Sequence, residues 1–210
     1  LMYAAAATTV KDFESAEKAY ADLIHEADPS LPLTDSISDT TFRGMLNYDG
    51  LTRMSSLYNM LGDMYYTAGE LDKAFRAYDN SLFFFPSNPM TLNNYAYFLT
   101  ETGGDIDKAL EMSKESLDLE PENPTYLDTY AWILFKKKDY KEALEYQMKA
   151  VAAAEAAGEM AGEFYHHLGD ILFMNHRPDE AVENWKRALD LEPDNELLKK
   201  KVANKTFFFE

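Results

Sequence analysis

Among the 210 residues, the side chains whose types and spacing most invite chemistry are His166, His167 and Asp170. His166 and Asp170 stand one helical turn apart, the spacing at which two side chains share a helix face and converge on one ion. Two ligands from one turn do not complete a metal site, and the sequence shows no third. An ordinary pair on a helix face is therefore the expectation, with no metal and no cofactor. Catalytic chemistry finds no better footing. There is no Gly-rich phosphate loop; Gly103-Gly104 reads as a turn, and the many Asp and Glu spread over solvated helix faces. Cysteine is absent altogether, which removes disulfides, thiolate metal sites and thiol nucleophiles while leaving the compartment open. The chain is read as non-enzymatic.

The composition narrows the partners. A formal net charge of -17 opposes nucleic acid, because phosphate contacts need clustered Lys and Arg, and it equally opposes an anionic membrane surface. Neutral or basic protein partners suit it better. No apolar run is long enough to span a bilayer. With 14 Tyr and 13 Phe there is ample material for a packed core. The chain starts at Leu1 with no visible signal peptide, which reads as a processed or truncated form.

The elements that position these residues repeat. Residues 165–193 read as two short helices back to back: Tyr165, Leu168, Gly169 and Leu172 on the first, Ala181, Trp185 and Ala188 on the second, and Pro193 at the stop. Upstream, Tyr58, Leu61, Gly62 and Tyr65 are followed by Ala74, Tyr78, Ser81 and Pro86. The step from Leu61 to Ala74 equals that from Leu168 to Ala181. Gly on the first helix lets the second cross closely, Ala answers it, and aromatics fill the gap to the next unit. This skeleton resembles the tetratricopeptide repeat, with its period of about 34 residues.

The resemblance implies an all-α, right-handed α-α superhelix, a tetratricopeptide-repeat solenoid of four to five helix pairs with a C-terminal capping helix. A weak N-terminal repeat occupies residues 1–29. Residues 30–54, rich in Ser, Thr, Asp and Pro, break the period and read as a connector, with a short helix at 40–47 and, as the alternative, a fold over the groove. Four repeats follow at 55–88, 89–123, 124–161 and 162–195. In the third, Pro is missing and the second helix is expected to run on through the Ala-rich stretch 151–162. Three copies share a boundary phrase, Pro86-Ser87-Asn88, Pro121-Glu122-Asn123 and Pro193-Asp194-Asn195. Residues 196–210 form the cap and tail: Leu197, Leu198 and Val202 face the last repeat, and Lys199, Lys200 and Lys201 face solvent. Phe207-Phe208-Phe209 is expected to pack back on the cap, the alternatives being a pairing with another molecule or an end produced by truncation.

Residues 93–198 are also similar to the C-terminal part of long tetratricopeptide-repeat proteins of the bacterial cell envelope. The likeness lies in Asn94 to Tyr97, Tyr126 to Trp132, and His167, Gly169, Asp170 and Trp185. It implies a cell-envelope or periplasmic location, with the cytoplasm as the alternative.

Such solenoids bind partners along the face made by the first helices. The stripe beside the core face gives a peptide-binding groove of Asn59, Asp63, Tyr66, Asn93, Tyr97, Asp128, Trp132, Phe135, His166, Asp170 and Phe173. Trp132 is its expected energetic anchor, or else half-buried core. Thr125 and Thr129 lie beside that stripe, and the Lys and Arg of a carboxylate clamp are missing from it. The function expected is a non-catalytic protein–protein interaction scaffold. The alternatives are an assembly element that self-associates through its ends, making a homo-oligomer, and the accessory region of a longer protein.

Overall fold

The computed structural model describes residues 1–208, all of them helix, turn or irregular, with twelve helices and no strand among the described residues. The chain divides into two compact units, Leu1–Phe98 and the part from Leu99 onward.

The first unit is built from α1 (Met2–Thr9), α2 (Phe13–Ala27), the short α3 (Thr41–Met45), α4 (Tyr48–Thr67), α5 (Leu71–Phe84) and most of α6 (Pro89–Glu101). α1 pairs with α2 and α4 with α5, and α2 packs on α4. The second unit holds α7 (Ile106–Leu119), α8 (Pro124–Lys136), α9 (Tyr140–Ala157), α10 (Gly162–Met174), α11 (Pro178–Leu191) and α12 (Glu196–Asn204). Here α8 pairs with α9, α10 with α11, and α12 packs on α11.

Two local devices punctuate the chain. Each turn inside a helix pair contains one left-handed residue: Lys11, Gly69, Gly103, Lys138 and His176. The boundary phrases carry the second device. Asn88, Asn123 and Asn195 each accept a hydrogen bond at Oδ1 from a backbone N–H of the helix that follows, at 3.2 Å from Thr91, 3.1 Å from Thr125 and 3.1 Å from Leu198. An amide acceptor there satisfies donors that the first helical turn leaves unpaired. Pro ahead of it ends the preceding helix.

Close packing within the pairs is set by Gly and a ring. A β-carbon on Gly62 would sit 2.5 Å from the Tyr78 ring, and one on Gly169 would press on Trp185 and lie 3.1 Å from the Ala181 carbonyl oxygen. Tyr78 and Trp185 are wholly buried at these crossings.

Three expectations need correction or detail. α4 begins at Tyr48, inside the segment read as connector, because Asn47 accepts from the Gly50 N–H at 2.9 Å and caps the helix there. The rest of that segment is pinned to the helix pair that follows it. Asn80 of α5 accepts from the Ile37 N–H at 2.9 Å and donates to the Asp35 carbonyl at 2.9 Å, while Tyr58 of α4 donates to the Pro32 carbonyl at 2.7 Å. α9 is longer than its fellows in the second unit, as the Ala-rich sequence predicts, but it stops at Ala157. Gly158 adopts a left-handed conformation (φ 72°), and its N–H and that of Glu159 close the helix end.

Candidate functional site

The first-helix stripe is a seam of buried polar groups in each unit. In the first, Asp63 accepts from the Tyr78 hydroxyl at 2.6 Å, from Asn94 Nδ2 at 3.1 Å and from Asn59 Nδ2 at 3.2 Å. Asn59 and Asn93 are buried, whereas Asp63, Tyr66 and Tyr97 are half-buried. Tyr66 stacks on Phe98 at 3.7 Å between ring centroids, and Tyr97 meets the same ring edge-on at 5.4 Å. Burial pushes the Asp63 carboxyl up, and the bonds from Tyr78, Asn94 and Asn59 pull it back.

In the second unit the seam has charge. Asp170 accepts from Trp185 Nε1 at 2.8 Å and from Lys201 Nζ at 2.8 and 2.7 Å. Lys201 Nζ also donates to His166 Nε2 at 2.7 Å, so all three ammonium protons are used. Lys201 is 0% exposed. This overturns the expectation that it faces solvent alongside Lys199 and Lys200. α12 points one lysine inward because a buried carboxylate and a neutral imidazole wait there. Burial, then the Lys201 charge, hold His166 down at about 3. Burial also raises the Asp170 carboxyl, against the pull of Lys201 and the Trp185 N–H. The cation that His166 and Asp170 hold is thus the chain's own ammonium.

His167 belongs to a different set. Its Nδ1 meets Asp128 Oδ2 at 2.9 Å, and its ring stacks on Trp132 at 4.0 Å. Burial opposes the charged ring, but the Asp128 carboxylate outweighs it and lifts His167 to about 9. Asp128, Glu163 and His167 offer ligand atoms within 4.8 Å of one another, a trio not legible in the sequence because its members come from α8 and α10. Asp128 is already engaged by His167 and by Gln147 Nε2.

Trp132 is 5% exposed, donates from Nε1 to Glu101 at 2.8 Å, and lies against Phe135 at 4.8 Å. The structure therefore places the expected anchor inside. Asp128, Phe135, His166 and Asp170 are buried too, and Phe173 is half-buried. What remains open is a cleft of 330 Å³ bordered by Phe135, Lys138, Tyr140, Met174, Phe207 and Phe208, with Glu101, Trp132, Lys136 and Asp170 completing its walls. Phe207 forms part of its wall, 6.0 Å from Phe135 and 6.4 Å from Phe173 between centroids. Phe207 and Phe208 were legible only as an oddly apolar end. Phe209 lies outside the described residues.

Paired helices with Gly–aromatic crossings, repeated along a chain, define a helical-repeat protein of the scaffold kind. Tetratricopeptide-repeat models match residues 162–195 and residues 125–156. Among solved structures, a thermophilic tetratricopeptide-repeat protein of Thermus thermophilus aligns with TM-score 0.69 at 13% identity, over 98% of this chain and 96% of its own. The structure solved for Pseudomonas aeruginosa pilF aligns with TM-score 0.65 at 20% identity, over 74% of this chain and 69% of its own. A tetratricopeptide-repeat protein of Parabacteroides merdae aligns with TM-score 0.64 at 19% identity, over 96% of this chain and 69% of its own. At these identities the likeness is one of fold. No curated protein matches the chain in sequence. Residues 125–156 and 162–195 are thus tetratricopeptide repeats, a helical-repeat architecture that serves as a protein–protein interaction scaffold. No helix among the described residues is long and apolar enough to cross a membrane.

Proposed function

We infer that this chain is a non-catalytic scaffold that captures a partner segment along its first-helix face. The observation that carries the reading is the cleft beside α8 and α10, where Phe135, Tyr140 and Met174 line an opening beside a seam of bonded polar groups, with the half-buried Phe173 next to it against Phe207. A rigid, internally bonded floor with apolar groups at its rim favours binding, because little is lost in ordering it. The charge of -17 favours a neutral or basic partner. The first unit offers a stripe of its own, with Tyr66 and Tyr97 as half-buried aromatic contacts beside Asn59, Asp63 and Asn93.

Affinity capture from cell extracts tests this. Wild type is compared with Phe173→Asp/Met174→Glu and with Glu183→Lys on the exposed side of α11, all checked for helicity by circular dichroism. A partner retained by Glu183→Lys and lost with the first-helix variant supports the groove. A partner retained by both, or lost with both, moves binding to another surface.

A further inference from the structure

We propose that Phe207 is the resident occupant of an aromatic socket at the rim of the cleft beside α8 and α10, and that a partner enters by displacing it with an aromatic side chain carried on an extended segment. The inference rests on the groove reading above.

The cleft already shows which chemistry it accepts. The Phe207 ring meets Phe135 edge-on at 6.0 Å, lies nearly parallel to Phe173 at 6.4 Å, and has the Lys201 ammonium 4.9 Å from its centroid. Two aromatic walls and a cation over the face form a socket for one electron-rich ring. The ammonium is held in place by Asp170 and His166 and does not need Phe207 to be ordered. The socket is therefore preformed.

The occupant, by contrast, is lightly held. Trp185 and Tyr78 are wholly buried, whereas Phe207 is half-buried and Phe208 is 36% exposed. The tail reaches the cleft through Lys205, a non-glycine residue in the left-handed region (φ 50°), and through a bond of 3.3 Å from the Thr206 N–H to the Lys201 carbonyl. That conformation belongs to the C-cap of α12, where the Lys205 N–H also bonds to the Lys201 carbonyl. An aromatic arriving on another segment gains the same walls. The segment that fits is extended, neutral or basic, and carries an exposed Phe, Tyr or Trp.

The test uses the full chain as wild type and as Phe207→Ser/Phe208→Ser. The probe is a fluorescein-labelled peptide of residues 203–208, with a second peptide in which both Phe are Ser. If the tail fills the socket about nine-tenths of the time, the wild type binds the aromatic peptide about ten-fold more weakly than the variant does. The Ser peptide binds neither, and adding Met174→Glu to the tail variant abolishes binding. Fluorotryptophan spectra give a second readout: the Trp132 signal shifts in the tail variant and returns towards the wild-type position when peptide is added. Equal affinity for both chains, with Met174→Glu still abolishing it, overturns the placeholder and leaves the groove standing. No binding to the tail variant, or binding insensitive to Met174→Glu, overturns the aromatic socket itself. In both cases the capture experiment with Phe173→Asp/Met174→Glu judges the groove separately.

Discussion

Lys201 donates to both carboxylate oxygens of Asp170, 31 residues upstream, at 2.8 and 2.7 Å, with side chains 1% and 2% exposed. The pair joins α12 to α10. Removing one partner of a buried pair strands the other charge. Lys201→Met is therefore expected to lose about 3–5 kcal/mol, while Lys201→Met/Asp170→Asn regains part of that loss. Lys200→Met, one residue away and exposed, stays within about 0.5 kcal/mol of wild type. Urea denaturation of the three variants checks this, and equal midpoints for Lys200→Met and Lys201→Met would refute it.

The two adjacent histidines titrate in opposite senses. His166 is held at about 3 by burial and Lys201, so below the ordinary imidazole value of 6.5 the unfolded chain takes up a proton that the folded chain refuses. Stability falls as pH drops from 6.5. His167 keeps its proton to about 9 beside Asp128, with Glu163 and Asp170 nearby. The unfolded chain releases that proton near 6.5, so the stabilisation is fully present below 6.5 and is lost as pH rises towards 9. These two groups together place a stability maximum near pH 6.5. Thermal melts between about pH 5 and 9 should show it, and His167→Asn should flatten the alkaline side. An unchanged alkaline slope in that variant counts against the assignment.

Gly169 has no room for a methyl group, because the Trp185 ring and the Ala181 carbonyl oxygen already occupy its place. Gly169→Ala should cost about 1–3 kcal/mol, since the helix pair must part to admit the new atom. Gly44 in α3 has nothing within 4 Å of a β-carbon, and Gly44→Ala should be neutral or slightly stabilising. Calorimetry on the two single variants separates steric crowding from any general effect of adding a methyl group.

The capping asparagines differ in what else they hold. Asn195→Ala removes a cap and should cost about 1 kcal/mol. Asn88 also donates from Nδ2 to Ser55 Oγ at 2.8 Å, inside a buried hydroxyl cluster with Ser81 and Thr91. Asn88→Ala leaves those hydroxyls short of a partner and should cost clearly more than Asn195→Ala. Denaturation midpoints ranked the other way would show the cluster to be energetically idle.

Where the sequence was readable, local constraints spoke. Gly62, Gly169, Tyr78 and Trp185 carry the helix crossing in their sizes, and Pro-x-Asn at 86–88, 121–123 and 193–195 states where one pair ends and the next begins. What stayed hidden depends on partners far along the chain. Lys201 sits in a run of three lysines with nothing nearby to distinguish it, and only Asp170 and His166 decide that it turns inward. Asp128, Trp132, His166 and Asp170 fall on the stripe read as groove lining, yet their hydrogen bonds to Gln147, Glu101, Lys201 and Trp185 close them off. Helical spacing identifies a face. It does not say which polar groups on that face find a mate.

Asp63 receives the Asn94 amide, and Asp170 receives the Lys201 ammonium, at the same separation of 31 residues. The two carboxylates are thus matched by different donors: an amide from the helix that opens the next repeat at Asp63, and an ammonium from α12 at Asp170. The intervening repeats place Tyr97 and Trp132 at the carboxylate's position, so the seam is not the same at every junction. Anyone grafting additional repeats after residue 195 should carry an asparagine into the position Lys201 now fills.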